Sequence, residues 1–194
     1  MKIRNILFAC VLAVPVAALA GPGSPPPTDT TTGAPSAKLS EQDTQMIAHL
    51  HAVNATEIDL GKLAQQNGTA PVKAYGKELV TDHTAFDAKV ISFAKKHGVA
   101  MIPEDSAQTP AQKTEMDTER SKLEALKGTA FDQELLPMMA SAHQAEVDKI
   151  DANISVVGDA DLKAMLQNAK PTFQKHADDA KKLQSPAMRS STAQ

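Results

Sequence analysis

The chain has 194 residues, with 20 lysines and arginines against 23 aspartates and glutamates, 3% aromatic residues and a single cysteine. A net charge of −3 gives no electrostatic basis for nucleic-acid binding, which needs a basic face. One cysteine excludes a disulfide framework within the chain.

Residues 1–20, MKIRNILFACVLAVPVAALA, join a basic start at Lys2 and Arg4 to a short apolar run and end in Ala18-Leu19-Ala20, a small-x-small cleavage site. The pattern predicts a signal peptide over 1–20 rather than a spanning helix, for which the run is too short. Cys10 has almost no apolar stretch ahead of it, so it does not read as a lipid-attachment site. Cleavage after Ala20 removes the cysteine and two bases, leaving a more acidic chain. Residues 21–38, GPGSPPPTDTTTGAPSAK, hold no large apolar side chain and predict a disordered Pro/Thr-rich linker. Residues 185–194, SPAMRSSTAQ, predict a flexible tail. Between them, 39–184 is long enough for one domain with one core. The triplets at Asn54, Asn67 and Asn153 are set aside as glycan sites, because such triplets are common by chance and two fall in or beside predicted helices.

Ser40 with Asp43 resembles a capping box, after which Met46, Leu50, Val53, Leu60 and Ala64 recur at helical spacing until Asn67-Gly68. Thr69 opens a second helix, with Pro71 in its first turn and an apolar stripe of Val72, Gly76, Leu79, Phe86, Val90 and Ala94; Gly98 ends it, making His97 a last-turn cation. Thr109-Pro110 begins a short, charged surface helix to about Leu126, apolar only at Met116, Leu123 and Leu126. Thr129 with Asp132 caps a third long helix with a stripe of Leu136, Met139, Ala140, Val147, Ile150 and Ile154. After Gly158 a fourth points Leu162, Met165, Ala169, Phe173, Ala180 and Leu183 inward. Pro137 and Pro171 predict kinks. Short links join the first and second long helices and the third and fourth, which makes two antiparallel hairpins. The expected fold is all-α: a four-helix bundle with a long middle connection carrying a short fifth helix, although an up-down-up-down order stays open.

Each long helix carries one polar residue at the centre of its stripe. At about 100° per residue, Glu57 falls amid Met46, Leu50, Val53 and Leu60; His83 amid Leu79, Phe86 and Val90; His143 amid Leu136, Met139 and Val147; and His176 amid Met165, Ala169 and Leu183. Their distances from the hairpin turns, roughly 15 to 25 Å at helical rise, allow one shared layer near mid-bundle. A lone buried carboxylate costs several kcal/mol, so Glu57 must be neutral, hydrated, paired with a histidine or bound to a metal. Two readings follow. One is a hydrogen-bonded layer that sets helix register. The other is a mononuclear N₃O site of Glu57, His83, His143 and His176 for zinc, copper, nickel or iron, with Met139 as an auxiliary ligand. Met138 projects outward, His49 lies near the edge of its stripe and His51 beyond it, so both histidines read as surface or rim residues.

NATEIDLGKLAQQNGTAPVKAYGKELVTDHTAF, FDQELLPMMASAHQAEV and FQKHADDAKKL together resemble the exported, ferritin-like domain-of-unknown-function proteins of Gram-negative bacteria, often labelled predicted outer-membrane proteins. The resemblance spans about residues 40–184 and implies a ferritin-like four-helix bundle in the envelope, with no activity to transfer. The di-iron chemistry of the wider ferritin-like class needs a Glu on two helices and Glu-x-x-His on two others. Here Val80, Ala140 and Phe173 stand three residues before the histidines, so iron oxidation and storage are not expected.

No cysteine nucleophile after cleavage, Gly-rich phosphate loop or nucleophile elbow is present, and the chain is not expected to be an enzyme. The leading expectation is a non-catalytic envelope protein, periplasmic or outer-membrane-associated, that engages an unknown envelope partner or surface through a bundle face or residues 110–126 and has the option of homo-oligomerising. The alternative is the mononuclear metal-binding protein.

Overall fold

The structure, a computed structural model, describes residues 38–99 and 110–185. The expected signal peptide over 1–20, the linker over 21–38 apart from Lys38, the connection at 100–109 and the tail beyond Ser185 lie outside the described residues. Among the described residues five helices follow one another: α1 (Glu41–Asn67), α2 (Ala70–Lys96), α3 (Pro110–Ala125), α4 (Gly128–Asn153) and α5 (Ala160–Leu183). No strand occurs among the described residues.

Local signals set most of these boundaries. Ser40 caps α1, its Oγ accepting from the Asp43 N–H at 3.0 Å. Gly98, at φ 75°, follows the C-cap His97 in the left-handed conformation that glycine adopts without a Cβ penalty. Thr69 stands at the N-cap of α2 as expected, with no side-chain hydrogen bond into the helix, whereas the expected cap of Thr129 with Asp132 is corrected. Asp132 serves tertiary structure instead, accepting from the Thr69 N–H at 3.2 Å and the Thr69 hydroxyl at 2.5 Å. Helix α4 starts at Gly128, itself at φ 56°, after Lys127. Both α4 and α5 run through their prolines, Pro137 and Pro171.

Contacts between helix ends establish the topology. Asp43, at the start of α1, accepts from the Gly158 N–H in the α4–α5 loop at 3.1 Å, while Thr69, just past the end of α1, is held by Asp132 at the start of α4. Helices α1 and α4 therefore run in opposite directions. Lys96 at the end of α2 meets Asp161 at the start of α5 at 2.7 Å, so α2 and α5 are antiparallel as well. It follows that α2 and α4 are parallel and that their link must return along the bundle. The 16-residue α3 supplies about 24 Å of that return at helical rise. Its end is fastened by Asn67, whose Nδ2 donates to the Leu123 and Glu124 carbonyls at 3.4 Å each. The order is up-down-down-up, which excludes the up-down-up-down alternative.

The interior is divided in two. Met46, Ile47, Leu50, Val90, Phe93, Val147, Ile150, Leu162, Leu166 and Phe173 fill the half near the α4–α5 loop. Ala64, Val72, Tyr75, Leu79, Leu123, Phe131, Leu135, Leu136 and Met139 fill the half near the α1–α2 turn. Residues outside the expected stripes, such as Tyr75, Phe131, Leu135 and Leu166, are buried because each helix packs against two neighbours, so its hidden arc is wider than one stripe. Val53, Leu60, Phe86, Met165 and Leu183, expected inward, are half-buried at the margins of that arc.

Within the first hairpin, α1 and α2 approach backbone to backbone. A Cβ on Gly76 would lie 2.6 Å from both the Ala64 Cβ and the Gly61 carbonyl, and neither of those groups can swing away. Gly76→Ala should therefore destabilise the fold by about 1–3 kcal/mol despite alanine's better helix propensity. Urea unfolding is the check; a neutral or stabilising result would contradict this packing.

Candidate metal centre

Between the two apolar halves lie three buried imidazoles: His83 from α2, His143 from α4 and His176 from α5, exposed by 1%, 2% and 0%. His83 Nε2 and His143 Nε2 are 3.3 Å apart, and His176 Nδ1 is 3.3 Å from the same His143 nitrogen. One ring nitrogen from each of the three histidines lies within 4.8 Å of the other two. Phe173 stacks on His83 at 5.7 Å and meets His143 edge-on, sealing the group against the apolar half beyond it.

The second nitrogen of each ring is engaged by a different acceptor. His143 Nδ1 donates to the Met139 carbonyl one turn earlier, at 3.0 Å. His176 Nε2 donates to Asp82 Oδ2 at 3.0 Å, and His83 Nδ1 to Asn54 Oδ1 at 2.9 Å. A carbonyl, a carboxylate and an amide oxygen each call for the N–H on the outer nitrogen, so a neutral ring keeps its lone pair on the inner one. Three lone pairs then converge with no proton between them.

That arrangement is repulsive unless a cation occupies it. A proton is a poor candidate near neutral pH. Burial, followed by the neighbouring imidazoles, lowers the pKa of His83 to about 2; burial and then His176 lower that of His143 to about 4. His176 is also shifted down, chiefly by burial, against the opposing pull of Asp82. A transition-metal ion fits better. Metal–nitrogen bonds of about 2.0–2.1 Å at the tetrahedral angle separate two ligand nitrogens by roughly 3.3–3.4 Å. Outer N–H groups held by a carboxylate, a carbonyl and an amide are also what metal-ligating histidines require of their surroundings.

The remaining expected site residues are placed differently. Glu57 is buried on α1, yet its Oε1 lies 4.0 Å from His143 Nδ1, the nitrogen turned away from the other two rings. Burial, and then the charge of Glu146, push the Glu57 carboxyl up to about 8, so it is protonated at neutral pH. Glu57 thus stands behind His143, outside the three converging nitrogens, because α1 faces the backs of the His83 and His143 rings. Met139 enters through its backbone carbonyl. Met138 is partly buried against the apolar half near the α1–α2 turn.

His49 corrects the reading of a surface or rim residue: it is buried, with Nε2 2.9 Å from Glu146 Oε2. Lys149 donates to the other Glu146 oxygen at 2.9 Å. His51 does lie at the rim, half-exposed and 2.7 Å from Asp87. His97 packs on Phe93, with ring centroids 4.3 Å apart. Asn54, Asp82 and Glu146 were missed as partners. Asn54 was legible, since it precedes Glu57 by three residues and shares its helix face. Asp82 gave no such signal, because it reaches His176 only through the approach of α5.

Among known proteins, the profile of a family described as a domain of unknown function, DUF4142, matches residues 28–183. No curated protein and no solved structure matches the chain.

Glu146 gives the fold an acid limit. Burial raises its pKa, but His49 and Lys149 outweigh burial and hold it below the ordinary carboxylate value. A lowered folded pKa contributes stability above the unfolded value of 4.5, and that contribution is lost as pH falls through the folded value. In chelator-treated protein, Glu146→Gln should therefore lower stability near neutral pH and reduce the loss between pH 5 and 3. Denaturant midpoints measured across that range decide it, and parallel profiles for variant and wild type would count against the assignment.

Proposed function

The chain belongs to the family of the domain of unknown function DUF4142, and from its buried histidines we propose that it is a mononuclear transition-metal-binding protein, with His83, His143 and His176 as ligands. The observation that carries this reading is the convergence of three inner nitrogens whose outer partners are all acceptors. Imidazole suits zinc, copper or iron, and the bound ion would replace mutual repulsion by three dative bonds. With three protein ligands, a tetrahedral ion keeps one position free for water or another small ligand.

The proposed role is binding, which three converging imidazole lone pairs supply directly. The signal-peptide pattern over 1–20 supports export to the cell envelope, in the periplasm or on the outer membrane. Among the described residues no helix is long and apolar enough to cross a membrane. The up-down-down-up order with a long crossover supports the ferritin-like reading of the bundle, while the absence of Glu-x-x-His at all three histidines argues against di-iron chemistry. Partner binding through α3 has less support. Arg120 reaches Asp59 of α1 at 3.3 Å and Lys122 reaches Glu134 of α4 at 2.6 Å, so these cations strap α3 to its own bundle.

Two measurements test the proposal. Native mass spectrometry of protein purified without chelator or affinity tag should find one ion per chain, lost in His83→Gln, His143→Gln and kept in Glu57→Gln. Adding zinc or copper at about 100 times Kd should raise stability by about 2.7 kcal/mol, seen as an increased Tm in wild type and Glu57→Gln alone. Equal stabilisation of the histidine double variant would overturn the site. Loss of metal from Glu57→Gln would restore the N₃O set.

A further inference from the structure

Resting on the metal-centre reading, a second set of ligands bears on how an ion reaches a site whose three residues are almost fully enclosed. Glu78, Asp82 and His176 also present one ligand atom each within 4.8 Å of one another. His176 belongs to both sets and is fully buried, with one ring nitrogen turned inward to His143 and the other outward to Asp82. The side chains of Glu78 and Asp82, by contrast, are 36% exposed. Asp82 also lines the cleft between α2 and α5, which reaches His83 and Phe173. Exposure, charge and ligand type therefore change together along one line, from hard carboxylates at the surface to neutral imidazoles inside.

Lys175 of α5 sits over the outer set. Its ammonium group is hydrogen-bonded to Glu78 and, at 2.7 Å, to Asp179. A cation approaching Glu78 must compete with that ammonium.

We propose that Glu78, Asp82 and His176 form an outer, transient site for a divalent transition-metal ion, through which the inner histidines are loaded and unloaded, with Lys175 as its competitor. His176 binds there through Nε2 as the tautomer whose proton sits on Nδ1, facing His143 Nε2 at 3.3 Å, and that proton returns to Nε2 as the ion moves inward. Carboxylates suit this step because they attract a hydrated cation and exchange quickly, whereas three enclosed imidazoles hold an ion only after its water has been stripped. Asp82 would have two tasks, receiving the ion and orienting His176, so its removal mixes affinity with rate. Glu78 makes no contact with an inner ligand nitrogen in this arrangement and isolates the rate.

Cobalt(II) is the probe, its uptake by chelator-treated protein followed by visible absorbance in stopped flow and its release followed into excess EDTA. The double variant Glu78→Gln, Lys175→Gln preserves net charge while removing both the outer carboxylate and its competitor. It should slow uptake and release alike by about tenfold, a barrier change of about 1.4 kcal/mol, with Kd held within about threefold. Lys175→Gln alone should speed uptake. Wild-type exchange rates in the double variant would overturn the outer site while leaving the inner one standing. So would a changed Kd with unchanged uptake, which marks Glu78 as a tuning residue. Wild type that takes up no cobalt, zinc or copper would overturn both.

Discussion

Three imidazole nitrogens facing one another inside an apolar bundle are the constraint on which the rest of this structure turns. Each is brought by a different helix, and each ring is locked by an acceptor on its far side. A polar layer of this kind is costly unless every group is satisfied, because low dielectric magnifies an unmade interaction as much as a made one. Here the outer nitrogens are satisfied by protein and the inner ones are not. In the metal-binding reading proposed above, a cation would take up the three inner lone pairs.

The surrounding architecture holds that point in place. Two apolar halves, one toward each end of the bundle, clamp the layer so that no ring can move without disturbing packing. The first hairpin is drawn tight by the Gly61–Gly76 approach, the second carries two of the three histidines, and the hairpins are tied at both ends by Asp43 to Gly158 and Asp132 to Thr69. Tyr75 adds a hydroxyl bond to the His176 carbonyl at 3.2 Å, and burial keeps its phenol protonated as a donor. These connections fix the three histidines from three separate elements, as a preorganised site would require.

On the α1 side the same burial has a different result. Glu57 has no acceptor-seeking ring nitrogen in reach and retains its proton, with its Oε2 and the Asn54 Nδ2 both buried without a hydrogen-bond partner among the described residues. Glu146, on α4 about one turn beyond His143, keeps its charge because His49 and Lys149 approach it. Two buried glutamates in one core thus take opposite protonation states, and local partners decide which.

Much of this was legible in residue order. Apolar spacing placed the four long helices, Ser40 and Gly98 marked helix ends, and each of the three clustering histidines stood out as a polar intruder in an apolar stripe, because helical periodicity is a local property. Glu57 met the same criterion, yet α1 turns it to the back of His143 rather than to the shared centre. A projection gives the face of a residue and its approximate height; it does not give the rotation of one helix against the next. Asp82 as the partner of His176, Asp132 as a tie to Thr69, the burial of His49 and the up-down-down-up order all rest on contacts between residues far apart in the chain. The sequence by itself determined where the four long helices run and which polar side chains interrupt their apolar stripes. Only the tertiary structure decided which of them meet, because that depends on how four helices are directed and rotated together.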